Sequence, residues 1–417
     1  MPKLNHLRIL MLSATLLLSI TASAQLAKDT IPAAKPAAAA KPAAKKPQWY
    51  EKISLRGYTQ VRYNRLLETN PDLKFDGDRS VGDRGGVLIR RGRLIFFGDI
   101  SPHLFLYYQV DFASNASSTN LHFGQIRDLY ADIFVDTGKV FRFRVGQSKI
   151  PFGFENMQSS QNRLPLDRAD ALNTAAPSER DLGAFFYWTP RKARNRYDIL
   201  AEQGLKGSNN YGVFGFGVYN GQSTNKPELN NSMHVIGRLS YPFGFGKQIL
   251  EIGIQGYTGF FTLESGQASS GVKRNVTSTY RDKRVAASIA LAPQPFGILA
   301  EYNIGESPMY RADSDSILNS PLEGGFITIF YKTKLPKTGQ TIIPYFRAQY
   351  YSGGVKIATD TKALKMNEYD FGIEYQIMKS LEITTSYTYS IRNTSDKAKE
   401  FNNQTGSLLR VQVQFNY

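Results

Sequence analysis

The sequence predicts an all-β protein: a transmembrane antiparallel up-and-down β-barrel of about 16 strands. Three observations carry that expectation. Apolar residues recur with a period of two, the periodic segments are long enough for a tilted strand to cross a bilayer, and the connections alternate between short and long.

The period is cleanest at the C-terminus, where Leu409, Val411, Val413, Phe415 and Tyr417 alternate with Arg410, Gln412, Gln414 and Asn416. One face is apolar and the other polar, as in a strand. The same alternation runs through Tyr369, Phe371, Ile373 and Tyr375, and through Leu381, Ile383, Thr385, Tyr387 and Tyr389. Further back, Leu104, Leu106, Tyr108, Val110 and Phe112 oppose Phe105, Tyr107, Gln109 and Asp111. Leu129, Ala131, Ile133 and Val135 likewise oppose Asp128, Tyr130 and Asp132.

In chain order the predicted strands cover 54–63, 87–99, 103–112, 126–135, 140–147, 183–189, 211–220 and 234–243. The second half supplies 249–261, 284–292, 296–304, 325–333, 341–351, 368–377, 381–391 and 407–417. Such lengths suit the roughly 9–11 residues of a tilted crossing strand, and an even total is what a closed bacterial barrel requires. Short turns at 100–102, 136–139, 293–295 and 378–380 alternate with longer stretches at 115–124, 148–182, 306–321 and 393–404. A membrane barrel keeps short turns on the periplasmic side and long loops outside. Residues 197–202 read as one more short strand. It could extend a barrel strand, decorate a periplasmic turn or add a hairpin partner, so residues 195–208 leave the strand count open.

The N-terminus carries Lys3 and Arg8, an apolar run from Ile9 to Ile20, and Ala22-Ser23-Ala24 before Gln25, which together make residues 1–24 a secretory signal peptide. Residues 25–50, rich in Ala, Lys and Pro, read as a flexible periplasmic linker, either a plain spacer or one whose positive field makes contact with anionic cell-wall material such as peptidoglycan or with membrane. The barrel domain is expected over 51–417. Beyond the leader no apolar run reaches the roughly 20 residues of a membrane-crossing helix.

The chain has no cysteine, which excludes a disulfide framework, Cys-ligated metal and a Cys nucleophile. Past the leader His103, His122 and His234 stand at unrelated positions, and there is no G-x-S-x-G elbow, so no catalytic residue, metal site or cofactor is expected. The acidic stretch 76–83 offers oxygen ligands for Ca²⁺ but lacks ordered spacing and reads as a solvated loop.

With apolar residues facing lipid, Arg91, Arg93, Arg142 and Arg144 line the lumen. Asp99, Asp111, Asp128 and Asp132 are placed to pair with them, so the arginines brace the wall, select solutes, or both. The loop 148–182 is expected to narrow the channel and to present Lys149, Arg163 and Arg168 as an anion-binding constriction, because rings of Arg or Lys are how anion pores are built.

At these residues the sequence resembles the phosphate-selective porin O and P family of Gram-negative outer membranes. The resemblance rests on IRRGRLIFFGDI followed by HLFLYYQVDFA, on IRDLYADIFV followed by FRFRVGQSKIPFGFENMQSSQNRLPLDR, and on the terminal Tyr417 after RVQVQFN. It implies a sixteen-stranded barrel, usually trimeric, with an inward third loop and a basic anion path. Lys149 matches the family's basic residue in the VGQ-x-K-x-P block, and Arg90, Arg91 and Arg93 match its arginine-rich second strand. After Ser159-Ser160 the sequence departs from the pattern, with Gln161-Asn162 where a basic residue is expected, which leaves the anion open.

The expected protein is therefore a porin in the outer-membrane bilayer, a homotrimer passing small anionic solutes such as phosphate by passive diffusion, with no nucleic-acid partner. An outer-membrane barrel enzyme of lipase or protease type, or a secreted β-sandwich that binds glycans, are the alternatives.

Overall fold

A computed structural model describes residues 48–75, 81–114 and 122–417. The expected signal peptide, nearly all of the linker and most of the candidate calcium loop lie outside the described residues.

Seventeen strand segments form a single antiparallel sheet. The first eight are β1 Ser54–Leu66, β2 Gly86–Ser101, β3 Leu104–Ser114, β4 His122–Phe134, β5 Phe141–Lys149, β6 Arg180–Trp188, β7 Phe214–Tyr219 and β8 His234–Phe245. Then come β9 Gln248–Thr262, β10 Thr279–Leu291, β11 Phe296–Arg311, β12 Ser316–Tyr331 and β13 Thr333–Lys334. The last four are β14 Thr341–Gly354, β15 Ala363–Met378, β16 Leu381–Ser395 and β17 Asn402–Asn416. Because β12 and the two-residue β13 both pair with β14, they make one stave, and the barrel has sixteen. It closes where β1 pairs with both β2 and β17. Gly57 permits that seam: a Cβ there would stand 2.4 Å from the Tyr417 ring, whose backbone N–H donates to Gly57 at 3.0 Å.

Lateral closure satisfies every ladder without leaving an edge, as a bilayer demands. The two faces divide as the alternation predicts. On β9, Ile254 is 54% exposed on the outer face and the adjacent Gln255 only 2% exposed on the inner one.

Two expectations need correction. The segment expected as a loop at 306–321 is mostly ladder, since β11 and β12 pair from Phe296↔Tyr331 to Arg311↔Ser316 and leave only 312–315 as a turn. Its polar composition concealed a strand extension beyond the apolar belt. Residues 197–202, expected as a strand, belong instead to the helix α3 Arg191–Glu202.

Among the described residues three α-helices interrupt the staves: α1 Phe154–Met157 and α2 Asp170–Asn173 in the connection between β5 and β6, and α3 Arg191–Glu202 between β6 and β7. In α3, Ala193, Tyr197 and Leu200 are spaced four and three apart and are all buried, which is one face of a helix. They pack with Leu205, Val213, Ile249 and Ala292 at the short-turn end of the barrel. Within the window 197–202 the apolar residues mimic a two-residue period; the preceding turn, with Ala193, decides for helix.

The connection between β5 and β6 spans 150–179, narrower than the expected 148–182, because Lys149 pairs with Arg180 in the ladder. It folds against the inner wall. Ile150, Phe152, Phe154, Met157, Leu164 and Leu172 form a core with Phe185, Tyr257, Phe330, Tyr345 and Tyr351 of the staves. Burial of that apolar surface drives the docking. Polar contacts then fix it: the Glu301 carboxylate accepts the Phe154 and Glu155 backbone N–H groups at 2.6 and 2.7 Å, and Arg347 bonds Glu155 at 3.2 Å.

Candidate anion pathway

Above the docked loop, on the long-loop side, lies a cavity of 560 Å³. Its wall carries Arg90, Arg91 and Arg93 of β2 and Arg127 of β4, and its floor carries Arg163 and Arg168 of the loop. Asp111, Asp167 and Glu179 also line it.

Two β-bulges concentrate this charge. Between β1 and β2 the register steps from Gln60↔Arg91 to Val61↔Ile89, so Arg90 is an extra residue. Between β3 and β4 it steps from Gln109↔Asp128 to Val110↔Ile126, so Arg127 is extra. A bulge breaks the alternation and re-aims a side chain. Arg127 and Asp128 are consequently both buried, and Arg90 approaches Asp167 of the loop at 3.8 Å.

The carboxylates are shared. Glu179 lies 2.9 Å from Arg127, 3.0 Å from Arg180 and 3.5 Å from Arg168. Asp111 serves Arg93 at 3.2 Å and Arg127 at 3.9 Å. Asp167 is held by Arg62 at 3.0 Å and also by Arg410. Burial alone would raise the Glu179 carboxyl, but Arg168, Arg180 and Arg127 hold it well below the ordinary carboxylate range. Burial also pulls the loop guanidiniums Arg163 and Arg168 down from their ordinary value, with Glu155 and Glu179 opposing.

Two buried arginines of the cavity have no carboxylate within 4.0 Å among the described residues: Arg91 and Arg163. Arg91 donates to Gln60 Oε1 at 2.7 Å. Arg163 donates to the Pro165 and Leu166 carbonyls at 3.2 and 3.4 Å, and its Nη1 has no hydrogen-bond partner. A buried cation without a counter-charge is costly. These two are placed to accept one from a mobile anion, through a planar fork of donors.

The residues singled out from the sequence divide into three groups. Arg91, Arg93, Arg163, Arg168 and Asp111 come together at the cavity. Lys149 does not line it; its Nζ is buried against the loop and donates to the Met157 and Gln158 carbonyls at 3.1 and 2.6 Å. Arg142 and Arg144 lie nearer the short-turn end, at 3.5 and 2.7 Å from Asp132. Asp128 pairs with Arg180 at 2.8 Å, and Asp99 pairs with Lys139 at 2.6 Å rather than with any of the four arginines. Gln161 and Asn162, the departure from the family pattern, sit outside the cavity lining, and Gln414 donates to the Gln161 carbonyl at 3.3 Å.

Arg127 was missed because the alternation fixed by Leu129 and Ala131 turns it outward. The adjacent charges Arg127-Asp128 were the available signal, since an arginine on the lipid face near the bilayer midplane costs about 2–4 kcal/mol and a bulge avoids that.

The model of the family described as phosphate-selective porin O and P matches residues 68–333. Among solved structures, the outer-membrane channel DcaP of Acinetobacter baumannii is 14% identical with a TM-score of 0.53, over 88% of this chain and 97% of that one. A Salmonella typhi OmpF in complex with daunomycin is 11% identical with a TM-score of 0.54, over 88% and 97%. An anion-selective porin from Comamonas acidovorans is 10% identical with a TM-score of 0.50, over 88% and 99%. At these identities the likeness is one of fold. No curated protein matches by sequence.

Proposed function

The chain belongs to the phosphate-selective porin O and P family, and on that premise we propose that this outer-membrane porin, as a homotrimer, passes small anions in preference to cations. Membership points to a channel rather than a catalyst. The observation that carries the anion preference is the pair Arg91 and Arg163, buried on the cavity without a carboxylate of their own among the described residues. Fixed charge has most leverage where the passage is narrow and water is scarce, because screening is weakest there. Phosphate is one solute of this class, and small carboxylates are another. The test is the reversal potential of the purified protein in a planar bilayer under a potassium chloride gradient. Chloride is expected to dominate the current; a potential of the sign set by potassium overturns the reading.

A further inference from the structure

The inner wall nearer the short turns carries aromatic surface that anion selection does not require. Phe97, Tyr107 and Tyr130 stand directly opposite one another on β2, β3 and β4. Ring centroids are 6.5 Å apart for the first pair and 5.1 Å for the second, whose planes differ by 14°. Phe105 adds a fourth ring, 6.5 Å from Phe97 and 6.4 Å from Tyr107. All four share the inward face, since Phe105 pairs with Asp132, the partner of Arg144 inside the barrel.

Structural packing does not account for this strip. The rings of β6 and β7, Phe185, Tyr187 and Tyr219, are buried within the core formed with the docked loop. Phe97, Phe105, Tyr107 and Tyr130 are only half-buried and belong to none of the described core clusters. Cations stand at both ends. The Arg144 guanidinium lies 3.8 Å from the Tyr130 centroid and is tied to Asp132. The Arg56 guanidinium lies 5.3 Å from the Phe97 centroid, is exposed, and has no carboxylate within 4.0 Å among the described residues.

We propose that this strip is a binding track for ring-bearing anions, aromatic carboxylates being the class, with the ring laid against Phe97 and Tyr107 and the carboxylate on Arg56. The proposal rests on the anion reading above. A ring gains offset or edge contact with the wall while its charge reaches a guanidinium that holds no other carboxylate. An anion with no ring gains only the second contact.

Benzoate and acetate separate the two, because they carry the same headgroup. In planar bilayers containing the purified protein, benzoate is expected to halve the chloride current at about a tenfold lower concentration than acetate, the size of one aromatic stacking contact. Tyr107→Leu, which keeps apolar bulk on the strand, should bring benzoate to the acetate level, and Tyr107→Phe should preserve the difference. Equal half-blocking concentrations in the wild-type protein overturn the track, as does a benzoate advantage that survives both Tyr107→Leu and Phe97→Leu. The reversal potential in chloride alone reports the anion preference separately: a cation-selective wild type breaks that premise, whereas an anion-selective one with equal block breaks only the track.

Discussion

Arginines stand on two arcs of the inner wall, β14 to β17 and β2 to β4, with β1 between them, and their surroundings set them apart. On β14, β16 and β17, Arg347, Arg392 and Arg410 each face two carboxylates among the described residues. Arg347 lies 3.2 Å from Glu155 and 2.9 Å from Asp370, and Arg392 lies 2.9 Å from Asp170 and 2.8 Å from Glu368. Arg410 takes Asp167 and, at 3.6 Å, Asp370. In every case one of the two carboxylates belongs to the inward loop and the other to a stave. On β2 the balance reverses: Arg93 has Asp111 alone within 4.0 Å among the described residues and shares it with Arg127, which also has Glu179, and Arg91 has no carboxylate partner among the described residues. On the proposed reading, one residue type serves as clamp where two carboxylates are within reach and as pathway where none is among the described residues. The number of carboxylates within reach, rather than burial, separates the two roles, because Arg91 and Arg347 are both buried.

That contrast breaks most visibly if a clamp is removed. Arg347→Met leaves Glu155 and Asp370 buried without this partner, and breaking a buried pair costs about 3–5 kcal/mol. The expected outcome is a lower midpoint of heat unfolding together with larger, noisier single-channel conductance as the loop loosens. An unchanged conductance would mean that the apolar contacts around Phe152 and Leu172 hold the loop unaided.

A smaller effect, of opposite sense, is expected from the pathway side. Glu179→Gln removes the carboxylate shared by Arg127, Arg168 and Arg180, so anion preference should rise by about twofold, the scale of one partly screened charge. Because the folded carboxyl is held well below its ordinary value, its stabilising charge is present above the unfolded pKa and is lost only as pH falls through the depressed folded one. The selectivity of the wild-type protein should therefore stay flat from pH 7 down to about pH 5, near the top of the ordinary carboxylate range. A reversal-potential series over that interval checks both statements.

How much of this was legible in the sequence follows from which interactions are local. The staves were readable because Leu409 to Asn416 and their counterparts alternate without exception, and alternation is a property of neighbours. The loop's inward course was readable from its length and from the family resemblance. Its anchors were not. Glu301, Arg347 and Arg410 meet loop residues more than a hundred positions away, and no local pattern marks them. Arg127 was hidden by a bulge that the strand pairing creates. Helix α3 was hidden because its diagnostic residue, Ala193, precedes the window that looked like a strand. Lys149 was expected at the constriction from its charge, its place at the start of the long loop and its match to the family's VGQ-x-K-x-P block, whereas the loop's backbone carbonyls enclose its ammonium.

The central claim is that the two cavity arginines without a carboxylate among the described residues, Arg91 and Arg163, rather than basic residues in general, set the anion preference. The direct measurement is the reversal potential of the double variant Arg91→Gln and Arg163→Gln in a potassium chloride gradient, beside Arg142→Gln, whose arginine is paired with Asp132. The double variant should lose most of the preference for chloride and Arg142→Gln should keep it. Equal loss in both, or no loss in the double variant, would contradict the account.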